Sequence, residues 1–401
     1  MSRILVIGKF YAPFNGGIER NTTALCERLA VDHDVTAVVF NHEPGELSEV
    51  RNGVRVRRLP AGRRLKGQPL TTRLFGAFDI TEYNLIHFHA PNPLASVALL
   101  AEMARKPRPP LVITHHMDMR PTGPLRWAAR AAYSRLLDAA HTVMVSSKKN
   151  VAISGDLRPG LNYAAIPFGV VPEDYVVSAA ERRAAQSWRR ARAGDAATFG
   201  FVGRHARYKG LDVLVKALAE TPDAHAFIAG DGTHRAPAEA LARSLGVQDR
   251  AHFLGEVSET GKLRLFAASD AFVLPSTEVT EAFGIAQLEA MAAGLPVIAS
   301  NLPTGVTDVT VHGISGLLCP PGDHVALSAA MRRLASDGVL RAALAAGAQR
   351  HVRQWFDEEV VLARAVETLE AALVGMKRRD RARRPASGGC DVRHHQLAEH
   401  A

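Results

Sequence analysis

Two glutamates, Glu281 and Glu289, stand on either side of an Ala-Phe-Gly-Ile turn in TEVTEAFGIAQLEAMAAGLPVIAS, residues 277–300. The turn opens a helical pattern that stops at Gly294, and Pro296 leads into an apolar strand, PVIAS. The first amides of a helix have no partner within it, so a glycine turn at that point is an anion site built from backbone. A carboxylate only accepts hydrogen bonds and suits a diol. Two carboxylates would repel a bare phosphate, but they fit a ligand that carries phosphate and hydroxyls together. A nucleotide sugar has that combination. The residues between the glutamates, AFGIAQL, are largely apolar, which argues against a solvated acidic face.

Arg204 and Lys209 follow the strand pattern TFGFVG and flank a loop before the next helix. Two cations at a strand's carboxyl end suit the diphosphate of a leaving nucleotide. Neutralising the charge that develops on a leaving phosphate is usually the largest catalytic contribution, and fixed cations with helix amides can supply it without a metal. His205 and Arg207 in the same loop read as solvated residues. Near the start, FYAPFNGGIER (10–20) places Gly16 and Gly17 ahead of a helix. Glycine lets backbone amides approach a phosphate, although a plain tight βα turn reads the same way. The stretch is not a G-x-G-x-x-G fingerprint, which weakens a dinucleotide oxidoreductase. His115 and His116 end the strand PLVITHH, a place where a lone histidine is usually structural. Among 17 histidines none has H-E-x-x-H spacing, and no Asp-x-Asp pair ends a strand, so no metal site and no resident cofactor are expected.

Short β-branched runs alternate with helical patterns and hold these residues in place. In the first half they are RILVIG (3–8), DVTAVVF (34–40), VRVRRLP (54–60), LIHFH (85–89), PLVITHH (110–116), TVMVSS (142–147) and YAAIP (163–167). The pattern restarts with TFGFVGR (198–204), AHAFIAG (224–230), AHFLG (251–255), AFVL (271–274) and PVIAS (296–300). Such alternation implies α/β architecture: two doubly wound, Rossmann-like domains facing a central cleft, with ligands at the carboxyl ends of the strands. A length of 401 residues also favours two domains. Residues 1–170 form the first, on the acceptor side, and residues 171–356 the second, on the nucleotide side. A helix over 357–376 follows, placed to cross back to the first domain, and 377–401 read as a basic disordered tail. Cys26, Cys319 and Cys390 are odd in number and scattered, which points to a reducing cytoplasm.

The chain resembles retaining family 4 glycosyltransferases of the GT-B fold over roughly residues 1–374. The resemblance rests on FYAPFNGGIER (10–20), HFHAPNP (87–93), THHMD (114–118), IPFGV (166–170), GRHARYKG (203–210), AGDG (229–232), LGEVSE (254–259), the glutamate pair and HGISGLLCPPGD (312–323). Within the family it is most similar to bacterial O-antigen mannosyl- and rhamnosyltransferases. The resemblance implies a donor site of Gly16, Gly17, Arg204, Lys209, Glu281, Phe283, Gly284, Ile285 and Glu289, with Glu281 on sugar hydroxyls and Glu289 on the ribose diol. It places His116, rather than His115, near the reacting carbon, and it puts Glu19, His89, Asn92 and Asp118 on the acceptor side. Catalysis would fall to His116, Glu281, Arg204 and Lys209. The substrates it implies are a nucleotide diphosphate sugar, such as GDP-mannose, and a glycan acceptor carried on a lipid.

A double displacement needs a carboxylate nucleophile beneath the sugar, and none is evident. A dissociative, front-face substitution is therefore expected. A non-hydrolysing nucleotide-sugar epimerase of the same fold remains the alternative. A phosphorylase lacks a motif for its pyridoxal phosphate lysine. A vestigial binding protein is disfavoured by the presence of Arg204, Lys209, Glu281 and Glu289 together. Residues 1–170 hold 22 Lys and Arg against 13 Asp and Glu, whereas residues 171–374 hold 20 against 24. Aromatics are 6% and do not interleave with the basic residues, so nucleic acid is not the expected partner. An anionic membrane surface fits, contacted through Arg126, Arg130 and Arg135 of PLRWAARAAYSRLLDAA (124–140) and through RVRRLPAGRRLKG (55–67). The expected location is the cytoplasm, peripheral on the inner face of the membrane.

Overall fold

The computed structural model describes residues 1–14, 17–65, 68–119 and 126–383. Its first sheet runs, edge to edge, Tyr163–Ala165, Thr142–Val145, Leu111–His115, Leu85–Ala90, Arg3–Ile7, Asp34–Phe40, Val54–Leu59 and Leu47–Arg51. All pairings are parallel except the last, where Leu47–Arg51 closes the edge antiparallel to Val54–Leu59. The central strands are apolar on both faces because helices cover both: Ile4, Leu5, Val6 and Ile7 have no exposed surface. The strand Leu47–Arg51 was not expected. Its sequence, LSEVR, is polar and half exposed, as an edge strand's can be. A small hairpin, Arg63–Leu65 with Gln68–Leu70, was not expected either.

The second sheet is wholly parallel, in the order Ala251–Gly255, Ala224–Ala229, Ala197–Val202, Ala271–Leu274, Val297–Ser300 and Gly316–Cys319. Only Gly316–Cys319 is absent from the expected strands. It is four residues long, between glycine turns and a proline, and too short to show a period. Each sheet has a point where the winding direction reverses, and there a crevice opens between the loops leaving the two neighbouring strands. In the second sheet this lies between Ala197–Val202 and Ala271–Leu274, so residues 203–210 and 275–284 face each other. In the first sheet it lies between Arg3–Ile7 and Leu85–Ala90, which sets the loop ahead of Gly17 at the crevice.

The last helix, Glu358–Arg383, returns to the first domain. Its Leu362, Ala365, Val366, Leu369, Ala372 and Leu373 join the core formed by Ile4, Val6, Tyr11 and Val112. That spacing of three and four residues makes one apolar stripe. Each buried leucine there contributes roughly 2 kcal/mol. The turn before the helix is tight: Val170 and Phe356–Glu358 exchange backbone hydrogen bonds of 2.9 Å. At Gly169 a Cβ would stand 2.8 Å from Glu358 Cα. The helix also corrects one expectation, because it continues to Arg383 through residues read as tail, whose lysine and arginines are good helix formers. The rest of that tail, 384–401, lies outside the described residues.

One of the two basic clusters also differs from its reading. Arg58 is 1% exposed and donates to Glu49 Oε1 at 2.6 Å and to the Tyr11 carbonyl at 3.2 Å. Arg55 pairs with Asp34, and Arg57 with the Ala77 carbonyl and Glu46. Strand pairing has turned these three cations onto partners in the fold, with Arg58 buried and Arg55 and Arg57 still part-exposed; Lys66 and Gly67 of the same cluster lie outside the described residues. In the helix Arg126–Ala139, by contrast, Trp127 is 68% exposed and Arg130 and Arg135 lie at the surface, while Leu136 is buried in the core. Among the described residues no helix is long and apolar enough to cross a membrane.

Candidate active site

The crevice of the second sheet is built by strand-end backbone. Gly210 adopts the left-handed conformation at φ 69°, and a Cβ there would lie 2.0 Å from the Pro275 carbonyl oxygen. Only glycine permits that approach. The Thr277 amide then bonds the Tyr208 carbonyl at 2.8 Å. This seam brings Lys209 Nζ to 2.6 Å from Glu281 Oε2, with both side chains mostly buried. Ser276 donates to the same oxygen at 2.8 Å. Both donors reach Oε2, and the second oxygen of Glu281, Oε1, lies on the side of Gly284.

Gly284 caps the helix Ile285–Ala292 in the left-handed conformation, at φ 73°. Among the described residues the amides of Phe283 and Gly284 donate to no acceptor. They and the first amides of the helix are donors turned to the loop side, the kind of backbone that can receive an anion. Glu289 lies one turn into the helix and is also fixed: Tyr175 Oη donates to its Oε1 at 3.0 Å and Lys262 Nζ at 2.9 Å. Burial, and then the Glu289 charge, push the Tyr175 hydroxyl well above its ordinary range, so it stays a donor. Burial alone would lower the Lys262 ammonium, but Glu289 and Glu259 outweigh it and hold it charged.

The first domain closes over this turn. A Cβ on Gly17 would sit 3.0 Å from Ile285 Cδ1. Asn150 donates to the Ala282 carbonyl at 3.2 Å and accepts from the Gly305 amide at 3.3 Å, so one carboxamide ties the first domain to the Glu281 turn. Lys149 pairs with Asp308 at 2.7 Å, and Arg20 with Asp174 at 3.0 Å. The His116 ring stacks on Phe168 with centroids 6.0 Å apart, and Phe168 meets Phe283 edge-on at 5.4 Å. These contacts set Gly17 and, through Phe168, His116 against the turn that carries Glu281, Phe283, Gly284 and Ile285, with Lys209 on Glu281 and Glu289 on the helix that follows. Arg204 is exposed at the rim of the same loop as Lys209. Glu19 is half-buried in the first turn of the helix Gly17–Leu29, and Gly16 lies outside the described residues.

Other expected residues are spent on the scaffold. Asn92 is 2% exposed; its carbonyl caps the helix Pro93–Met103 at the Ala95 amide and its amide bonds the Gly8 carbonyl at 3.2 Å. Both ends of the side chain are thus held by the scaffold, and burial keeps it from the surface. His89, 6% exposed, is spent on a ring contact, its Nδ1 3.0 Å from His116 Nε2. Asp118 accepts from Ser154, from the Gly155 amide at 2.8 Å and from His115. Burial alone would raise its pKa, but these bonds win and hold the carboxyl below the usual carboxylate range, which suits an anchor better than a base. His205, read as solvated, is fully buried between the rings of Phe201 and Phe253, because Gly230 and Gly232 pack onto its loop. Ser276, Tyr175, Lys262 and Phe168 were not foreseen. Tyr175, Lys262 and Phe168 act through partners far away in sequence, and Ser276 through Glu281 within the same loop.

Two family models match the chain, one described as glycosyl transferases group 1 over residues 183–351 and one as a glycosyl transferase 4-like domain over residues 16–169. D-rhamnosyltransferase WbpZ of Pseudomonas aeruginosa is 31% identical across 80% of this chain and 82% of its own. O-antigen chain mannosyltransferase C of Escherichia coli is 29% identical across 83% and 88%. In fold the chain is similar to sucrose-phosphate synthase from Thermosynechococcus elongatus, with a TM-score of 0.74 at 22% identity, covering 94% of this chain and 100% of that one.

Proposed function

The chain belongs to the group 1 family of glycosyltransferases, and from that premise we propose that it transfers a mannose- or rhamnose-like hexose from a nucleotide diphosphate sugar, with retention, to a glycan hydroxyl of a lipid-linked polysaccharide intermediate. The carrying observation is the Lys209–Glu281 pair at 2.6 Å beside the unbonded amides of Phe283 and Gly284. A carboxylate for hydroxyls and amides for phosphate meet there on one turn. The relatives named for rhamnosyl and O-antigen mannosyl transfer support the hexose and the polysaccharide, and GDP is the nucleotide this reading assigns.

In this reading Glu289 receives the ribose diol, and the helix amides with Arg204 and Lys209 receive the diphosphate. Glu281 Oε1 accepts from the sugar, and His116 faces the reacting carbon. The bond from the anomeric carbon to phosphate breaks first, and its electron pair stays on the phosphate oxygen. Cations and amides neutralise that charge, so no metal is required. The departing oxygen takes the proton of the acceptor hydroxyl on the same face, and the new carbon–oxygen bond forms there, which preserves configuration.

The test is product release. With GDP-mannose or GDP-rhamnose and a lipid-linked glycan, GDP is expected only when the acceptor is present. Epimerised donor in the absence of acceptor would overturn the proposal. Thermal shift against GDP, UDP, ADP and TDP should single out GDP, because ligand at a hundred times its Kd adds about 2.7 kcal/mol to native stability.

The acceptor's lipid is met at the surface helix. Arg130 bonds Asp156, Asp156 also accepts from the Met119 amide, and Asp118 bonds Ser154 and Gly155. The helix that exposes Trp127 and Arg135 is thus tied to the loop after His116. Each cation held near an anionic surface contributes about 1 kcal/mol. Arg135→Glu with Trp127→Ala is expected to abolish flotation with phosphatidylglycerol vesicles while leaving transfer to a short soluble acceptor unchanged. Flotation that does not depend on anionic lipid would remove the membrane part of the proposal.

A further inference from the structure

Behind His116 lies a column of buried polar groups that the site itself does not use. His87 and His89 alternate on the strand Leu85–Ala90, so both rings fall on one face, with centroids 4.3 Å apart. His89 Nδ1 lies 3.0 Å from His116 Nε2 and 3.2 Å from Thr22 Oγ1. Thr22 stands one turn along the helix Gly17–Leu29, and its hydroxyl reaches the Ile18 carbonyl at 2.9 Å. A carbonyl only accepts, and a hydroxyl has one proton. Thr22 has therefore given its proton to Ile18 and can only accept at His89.

Burial, and then the neighbouring rings, depress the basicity of His89 and His116 far below that of a free imidazole, so both are neutral. A neutral imidazole carries one N–H. His89 must carry it on Nδ1 to satisfy Thr22, and the same proton faces His116 Nε2. That nitrogen is then an acceptor, and the His116 proton is on Nδ1. Nδ1 of His116 is not among the buried, unpartnered atoms, whereas His89 Nε2 and His87 Nδ1 are, so it is the His116 nitrogen left with accessible surface, in the pocket that His116 lines with Phe168 and Ser146.

The geometry points to a relay from Thr22 through His89 to His116, in which Thr22 and His89 are positioning residues that hold His116 as an Nδ1–H donor toward the bound sugar. This rests on the cleft reading of His116 given above. It assigns His116 a donor role and denies it that of a base: its open nitrogen already carries a proton, and the other faces His89.

Histidine tautomers can be read directly from ¹⁵N shifts of the labelled, substrate-free full chain. We expect His116 protonated on Nδ1 in the wild type and in Thr22→Ser, and a mixture of tautomers in Thr22→Val. Thr22→Val should also lower kcat by about tenfold, the worth of one weakened transition-state hydrogen bond, with donor KM little changed. Its melting temperature should stay within a few degrees, since valine keeps the shape. His116→Asn, which keeps an N–H near the Nδ1 position, should retain more activity than His116→Gln. A wild-type His116 protonated on Nε2, or a Thr22→Val protein with unchanged tautomer and kcat, overturns the relay. The tautomer is measured without substrate, so it separates failure of the relay from failure of the proposed transfer.

Discussion

Glu281→Ala is expected to lower kcat/KM by about 10³-fold, or roughly 4 kcal/mol of transition-state stabilisation. The carboxylate has two duties. Its Oε2 takes bonds from Lys209 at 2.6 Å and Ser276 at 2.8 Å, and its Oε1 is free for the sugar beside Gly284. Removing it deletes the sugar contact and strands a lysine whose side chain is only 13% exposed. An orphaned buried charge alone costs about 3–5 kcal/mol, so a dead Glu281→Ala protein does not by itself prove a chemical role. The pair must be removed together. Lys209→Met with Glu281→Gln leaves no unpaired charge and keeps the volumes close. If the pair serves the reaction, the double variant recovers the melting temperature lost by Glu281→Ala but stays inactive. If it recovers turnover as well, the pair is scaffold and the proposed site is wrong.

How much of this was legible in the sequence follows from what each residue does. Glu281 and Glu289 were legible because a short segment contains the turn, the helix start and both acids. Lys209 was legible as a cation at the carboxyl end of a strand and through the family resemblance; its partner Glu281 was not, because that meeting depends on a strand order only the structure gives. The two-domain parallel architecture followed from the alternation of strands and helices. What sequence could not reveal is the use each polar group makes of distant neighbours. Asn92 reads as a cleft residue, yet it sits ahead of Pro93, where helix capping claims its side chain. Arg58 reads as one more surface cation, yet Glu49 on the antiparallel neighbour is there to receive it. His205 reads as solvated until Gly230 and Gly232, some 25 residues on, close over its loop. For Arg58 and His205 the deciding partner arrives through strand pairing and packing, whereas the cap that claims Asn92 is local.

The same logic separates the two glutamates. Glu289→Ala is expected to weaken nucleoside diphosphate binding by about 10²-fold, the worth of one or two hydrogen bonds to a charged acceptor. Its cost to the fold should be smaller than that of Glu281→Ala. Lys262 keeps a second partner, Glu259 at 2.9 Å, whose side chain is 83% exposed, so the lysine is not left alone. Tyr175 and Lys262 both bond Oε1, which leaves Oε2 to face the ligand. That arrangement makes a sharper test than the single variant. Calorimetric titration with GDP and with its 2′,3′-dideoxy analogue, on wild type and on Glu289→Ala, forms a cycle between the ribose diol and the carboxylate. In the wild type the analogue should bind about 10²-fold more weakly than GDP. In the variant the two should bind alike, because the acceptor for the hydroxyls has gone. If the analogue loses the same factor in both proteins, the diol lies elsewhere. The nucleotide would then have to be turned around in the crevice, with Glu281 no longer next to the sugar.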